Sequence, residues 1–139
     1  MFLLDTNILS AMMRAGQAPQ VASWVSGQPA EVLFTTAVNQ AEILSGLAVL
    51  PPGRRRSGLE AAARAMFLED FEGRVLPFDM PAAAAYAEIF ETRRRAGRPT
   101  ATVDLMIAAI ARATGASVVT RNVGDFEGCG VGVVNPWDV

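Results

Sequence analysis

The sequence predicts an α/β fold: a three-layer sandwich with a central, mainly parallel sheet flanked by helices. Two observations carry that expectation. Short apolar runs alternate along the chain with stretches of helical pattern, and strands that alternate with helices pair in parallel and are covered on both faces. The 139 residues, 51% of them hydrophobic, are enough for one domain, residues 1–139, whose core needs no covalent staple. No internal repeat or low-complexity tract interrupts the pattern.

Phe2-Leu3-Leu4 is the first expected strand, Val32-Leu33-Phe34 the second, Val75-Leu76-Pro77-Phe78 the third and Val118-Val119 the fourth. Val131 to Val134 is expected as a last short strand. Helices are expected near 7–14, 18–27, 37–50, 57–71, 80–96 and 103–114. Pro19 suits the first turn of the second, where its missing N–H costs nothing. Arg93-Arg94-Arg95 suit the last turn of the fifth, near the negative end of its dipole, with Gly97 and Pro99 marking the stop. Pro51-Pro52-Gly53 breaks the chain before Arg54-Arg55-Arg56, which reads as an exposed loop. On a wheel of residues 37–50, Ala37, Ala41, Leu44, Leu47 and Ala48 share one face, and Glu42 falls nearly opposite, as an exposed glutamate would.

Composition removes whole classes of chemistry. All twelve basic residues are Arg, and neither Lys nor His is present. A His general base, a His nucleophile, a Ser-His-Asp triad and any lysine-dependent mechanism are excluded. The lone Cys129 forms no internal disulfide, and no Cys/His zinc pattern exists. No apolar stretch approaches the roughly 20 residues of a membrane span. The opening Met-Phe-Leu-Leu is too short for a signal core, so a cytoplasmic location is the expectation.

Acidic residues fall where an open parallel sheet places its ligands, just beyond the carboxyl ends of strands. Asp5 follows the first strand directly, with Thr6 and Asn7 behind it. A helix cap and a cleft-facing acid are both consistent with that position. Asp104 opens an almost wholly apolar helix, with Thr102 as its candidate cap. A first-turn acid gains about 0.3–1 kcal/mol from the helix dipole. An ionised carboxylate at the mouth of a buried helix also needs water, a cation or a donor beside it. The fourth strand runs into Thr120-Arg121-Asn122-Val123-Gly124-Asp125, where Asn122 and Asp125 read equally as turn formers and as site residues. Converging carboxylates repel unless a cation neutralises them, and all-oxygen ligands select Mg²⁺ or Mn²⁺. Such a centre suits phosphoryl chemistry by activated water and requires neither His nor Lys.

The motifs Leu3-Leu4-Asp5-Thr6-Asn7, Ala41-Glu42-Ile43, Val103-Asp104-Leu105-Met106-Ile107-Ala108-Ala109 and Thr120-Arg121-Asn122 with Asp125-Phe126 resemble those of the PIN-domain nucleases. The likeness is greatest to the VapC toxins of toxin–antitoxin pairs, in their FitB-like branch; Arg74-Val75-Leu76-Pro77-Phe78-Asp79 and the ending Asn135-Pro136-Trp137 support that branch. The resemblance spans essentially the whole chain. It implies that Asp5, Glu42 and Asp104 hold Mg²⁺ or Mn²⁺, and it alone promotes Glu42 above its wheel position. Thr6, Asn7 and Thr120 match supporting polar positions. The family's frequent fourth acid matches Asn122 here, with Asp125 three residues on.

The implied activity is endonucleolytic RNA cleavage. The implied partners are an RNA substrate, a second copy of the chain and a VapB-like antitoxin that reaches promoter DNA. Arg14, Arg98 and Arg121 are candidates for RNA phosphates, against a plain solvated-surface reading. The missing fourth acid keeps a second reading open, a catalytically weak binding subunit acting through an antitoxin–DNA complex. A phospho-acceptor domain is disfavoured by the absence of lysine, and an Asp-x-Asp phosphatase by Asn7.

Overall fold

The computed structural model describes residues 1–14 and 16–139. Its strands are β1 (Phe2–Leu4), β2 (Leu33–Thr36), β3 (Val75–Leu76), β4 (Ser117–Val119) and β5 (Val133–Val134). They form a sheet in the order β3-β2-β1-β4-β5, and every neighbouring pair is parallel. Parallel neighbours cannot be joined by a tight turn, so the crossovers carry helices. These are α1 (Thr6–Met13), α2 (Pro19–Ser26), α3 (Ala37–Ala48), α4 (Arg54–Ala65), α5 (Met80–Arg95) and α6 (Thr102–Thr114). The return from β4 to β5 is a loop with a 3₁₀ turn at Val123–Phe126.

Successive strand residues face opposite layers, and the sheet accordingly has two cores. Leu3 and Val118 pack with Ala82, Ile89 and the buried side of α6. Leu4 and Val119 pack with Ile8, Leu9, Ile43 and Phe67 on the other face. Burying one such Leu or Ile contributes about 1.5–3 kcal/mol. Helix α6 is buried almost all round, from Leu105 through Ala111, as its apolar sequence requires. Gly115 closes it in the left-handed conformation at φ 73°, which frees the chain to turn back into β4.

The expected elements are all present, with shifted edges. Val32 lies in a 3₁₀ turn, Ala30–Val32, and β2 runs on through Thr35 and Thr36. Strand β3 stops at Leu76 because Pro77 has no N–H for the ladder. Val131 precedes β5 rather than joining it. Arg54-Arg55-Arg56 form the first turn of α4, not a loop. Arg is a good helix former, and Arg56 fastens that turn to the Leu50 carbonyl at 3.2 Å and to Glu60 at 3.0 Å. The same helix continues through a π-helical turn, Met66–Asp70. Thr102 is the first residue of α6 and not its cap, a position taken by Ala101 without a side-chain bond.

Helix α3 is rotated from the expected face. Its buried residues are Asn39, Ile43 and Leu47, whereas Ala37, Ala41 and Ala48 are exposed and Leu44 is 48% exposed. Alanines bury little area, so leaving them outside costs little. Asn39 goes inside because every polar atom of its side chain finds a partner there. This rotation brings the neighbouring Glu42 to the edge of the sheet's carboxyl end.

Candidate active site

Strand β1 lies at the centre of the sheet, with β2 and β3 on one side and β4 and β5 on the other. The chain therefore reverses its direction of travel beside β1, and the crevice beyond the β1 and β4 carboxyl ends is the topological switch point. Asp5 and Thr120 are the residues that immediately follow those two strands.

Asp5 is 4% exposed and accepts from four donors. Its Oδ1 takes the Thr6 N–H at 2.8 Å and the Asn39 amide at 3.1 Å. Its Oδ2 takes the Thr120 hydroxyl at 2.8 Å and the Asn7 amide at 3.4 Å. The cap reading and the cleft reading are both realised, since the Thr6 bond caps α1 while Asn39 and Thr120 donate from α3 and from the end of β4. Burial pushes the Asp5 carboxyl above its ordinary range, against the pull of Thr120, Thr6 and Asn39, and the charge of Asp125 adds to the rise.

Asp104 stands half-buried in the first turn of α6. Its pKa is pushed up to about 6, first by burial and then by the charges of Asp5, Asp125 and Glu42. Three further acids thus act on one carboxyl from β1, α3 and the loop after β4. Glu42 is half-buried, and its Oε1 accepts the Thr6 hydroxyl at 2.6 Å. The Asn39 amide also donates to Thr6 Oγ1 at 3.0 Å, which links Glu42 back to Asp5.

Thr120 is fully buried and organises the loop that follows it. Its Oγ1 accepts from Asn7 at 3.1 Å and from the Asn122 N–H at 3.0 Å while donating to Asp5. The Arg121 N–H in turn donates to Asn7 Oδ1 at 3.1 Å. Asn122 is exposed and joins this network through its backbone; Asp125 is half-buried in the 3₁₀ turn. Of the arginine candidates, Arg98 is paired with Glu127 at 3.2 Å. Arg14 lines a cavity of about 280 Å³ together with Thr6, Ser10 and Glu42. A larger cavity of about 510 Å³, between α3 and α4, contains none of the site acids.

Two residues escaped the sequence reading. Asn39 is fully buried and held by Thr36, whose hydroxyl donates to Asn39 Oδ1 at 2.6 Å and accepts its N–H at 3.1 Å. A Thr-x-x-Asn spacing after a strand is the signal that announces it, a variant of the capping box. Arg93, 6% exposed, donates to Thr100 at 2.6 Å and to the carbonyls of Gly124 and Glu127, anchoring the loop that carries Asp125. Nothing in the triplet Arg93-Arg94-Arg95 singles out the one that turns inward.

The donors present suit a hard divalent cation: all are oxygens, and neighbouring acidic charges add to the burial that raises the pKa of Asp5 and Asp104. Their placement is looser than their chemistry. Among the described residues, no three His, Cys, Asp or Glu side chains are gathered into a metal-holding group. Asp5 and Glu42 share a hydrogen-bond network, and Asp104 and Asp125 join them only through the electrostatic field, not in a closed cage.

A wholly parallel five-stranded sheet with acids at its switch point defines the class as an open α/β fold with an acid-lined crevice at the strand carboxyl ends. The family can be stated: residues 2–127 match the PIN domain, and the chain belongs to the PIN-domain family. It is 41% identical over 138 residues to the plasmid stability protein StbB of Pseudomonas syringae pv. tomato, covering 99% of each chain. It is 36% identical over 138 residues to the VapC ribonuclease Y4jK of Sinorhizobium fredii, and 36% over 137 residues to the toxin FitB of Neisseria gonorrhoeae, again over 99% of each. Its fold superposes on FitAB bound to an IR36 DNA fragment with a TM-score of 0.93 at 36% identity, covering 100% of this chain and 97% of that one. No helix among the described residues is long and apolar enough to cross a membrane.

Proposed function

We propose that this chain is the toxin of a VapBC- or FitAB-like toxin–antitoxin pair and acts as a Mg²⁺- or Mn²⁺-dependent endoribonuclease. The observation that carries the reading is the buried Asp5, wired to Thr120, Asn39 and Asn7 at the switch point, with Asp104, Glu42 and Asp125 in its field. Near-full-length identity to a protein named a VapC ribonuclease and to one named a toxin supports both halves of it.

In this reading Asp5, Glu42 and Asp104 hold the metal, and residues 1–139 work as one nuclease domain. The chemistry such an ion would supply there is activation of a water and positive charge against the phosphate. The chain's own contribution is orientation. Thr120 and Asn39 fix the Asp5 carboxylate on both edges, and Thr6 holds Glu42 toward it. Of the four donors on Asp5, the contact from Asn7 is the longest at 3.4 Å. Asn122 and Asp125 flank the pocket, and Asp125 supplies the charge that Asn122 lacks.

The toxin half rests on the relatives. A small antitoxin is the proposed partner, with promoter DNA reached only through it, and the toxin itself is proposed to be a cytoplasmic homodimer.

The test is cleavage of single-stranded RNA by the purified chain with Mg²⁺ or Mn²⁺ and with chelator. Cutting should require the metal, and Asp5→Asn and Asp104→Asn should each abolish it with the fold intact by circular dichroism. Undiminished cutting by both variants refutes the assigned site. A soluble, folded wild type that never cuts favours the alternative of a binding subunit, for which Asn122 in place of an acid is the motivating observation.

A further inference from the structure

The tripeptide after β4 holds a cation that the acidic site does not use. The guanidinium of Arg121 lies over the ring of Trp137, 4.8 Å from its centroid. Trp137 belongs to a short turn after β5, in which its own N–H donates to Asn135 Oδ1 at 3.0 Å and Asn135 bonds Asp138 at 3.1 Å. The indole also packs against the core under α1 and β1, so the platform is anchored. The Arg121 backbone is fixed equally firmly, through its N–H on Asn7, whose amide bonds Asp5. Both ends of this side chain are therefore tied, one of them two hydrogen bonds from the buried acid.

Most other arginines have their charge or their donors committed elsewhere. Arg56, Arg94, Arg95, Arg98 and Arg112 pair with glutamates. Arg74 and Arg93 are taken up by backbone carbonyls. Arg121 is exposed and, among the described residues, forms no ion pair. Stacking on an aromatic face restrains a guanidinium without neutralising it, and its in-plane N–H donors stay available. A site of four acids repels a polyanion, so positive charge beside the pocket, added to that of the metal it is proposed to hold, favours a strand's approach. The chain as a whole supplies no excess of it, with a net charge of −2.

We infer that Arg121, positioned by Trp137, binds a phosphodiester of the RNA strand next to the one held at the acidic pocket, and so sets substrate affinity. The inference rests on the ribonuclease reading above. Guanidinium suits the task because it presents paired donors to phosphate oxygens. Trp137 is a positioning residue that pre-orders the side chain, which lowers the entropy lost when the strand binds.

The experiment is steady-state cleavage of a fluorogenic single-stranded RNA by the full chain in Mn²⁺, at several salt concentrations. Arg121→Ala should raise KM roughly tenfold, as losing a charged hydrogen bond does, with kcat little changed. The dependence of log KM on log salt should fall in slope by about 0.7, the value for one single-strand phosphate contact. Arg121→Lys should recover only part of the loss, since an ammonium neither stacks nor forks. Trp137→Phe, which keeps a ring on the core, should raise KM less than Trp137→Leu. Thermal unfolding of Arg121→Ala should lie close to the parent's, because only an exposed stacking contact is lost. Arg121→Ala with parental KM and salt slope overturns the inference while leaving the nuclease reading standing. An equal loss in kcat accompanied by a lower Tm overturns it too, as a structural effect. A wild-type chain that does not cut RNA removes both.

Discussion

The Asn39 side-chain amide donates to Asp5 Oδ1 at 3.1 Å, joining the first turn of α3 to the end of β1. The same amide reaches Thr6 Oγ1 at 3.0 Å, while its oxygen accepts from Thr36. One buried residue thus sets the positions of an acid, of the threonine that holds Glu42, and of the start of α3. Asn39→Leu keeps the branched shape of the side chain but takes one hydrogen bond from each of Asp5, Thr6 and Thr36. We expect a loss of about 1–3 kcal/mol in stability, read from urea unfolding. Cleavage should fall roughly 10- to 100-fold, as it does when the partners of liganding groups are removed. A variant as stable and as active as the parent would show that Asp5 needs no support from α3.

How much of this was legible beforehand follows from which residues carry a local signal. Asp5 and Asp104 announce themselves, one directly after an apolar strand and the other at the mouth of an apolar helix, and the structure places both at the carboxyl edge of the sheet. The parallel architecture follows from alternation alone. Glu42 does not announce itself, because the wheel weights alanine as a core residue, whereas the structure leaves Ala37, Ala41 and Ala48 outside and buries Asn39. That choice depends on partners 33 and 34 positions away, Thr6 and Asp5, which no local window contains. Arg54-Arg55-Arg56 looked like a loop because the Pro-Pro-Gly break and the charge run were read together; only the break is a break.

Arg93 offers a second test. Its guanidinium is buried and reaches Thr100, Gly124 and Glu127, so it ties α5 to the loop bearing Asp125. Arg93→Met retains much of the stem but strands those acceptors. We expect a cost of about 2–4 kcal/mol, seen as a lower urea midpoint. Arg94→Met, whose partner Glu91 lies one turn away on an exposed surface, should leave the urea midpoint close to the parent's. Equal costs for the two would contradict the assignment of Arg93 as the anchor.

Thr6→Val separates geometry from charge. It removes the hydroxyl that holds Glu42 at 2.6 Å but keeps the backbone N–H that caps α1 on Asp5. Stability should drop by about 0.5–1.5 kcal/mol. The concentration of Mn²⁺ giving half-maximal cleavage should rise roughly tenfold, because Glu42 is no longer held toward Asp5. If half-saturation is unchanged, the Thr6–Glu42 bond has no part in metal binding.

Asp104 should make the metal-free protein less stable than its asparagine variant, and only above a defined pH. Its carboxyl titrates near 3.8 when unfolded and at about 6 in the fold. Between those values the folded chain carries more protons than the unfolded one, so unfolding free energy falls as pH rises. The stability associated with the neutral form is fully present below about pH 4 and is lost by the time pH passes 6. The helix dipole of α6 opposes this with about 0.3–1 kcal/mol, but burial and three neighbouring acids outweigh it, as the raised pKa shows. In chelator at pH 7, Asp104→Asn should therefore melt above the parent, and the difference should shrink to nothing or reverse near pH 4. Mn²⁺ should raise the parent's Tm more than the variant's, because binding to the folded state stabilises it in proportion to affinity. Thermal melts of both proteins at pH 4, 5, 6, 7 and 8 decide the matter. A parent that melts above Asp104→Asn at pH 7 without metal would mean that the acids of this pocket are not in electrostatic conflict, and the case for a cation among them would lose its physical basis.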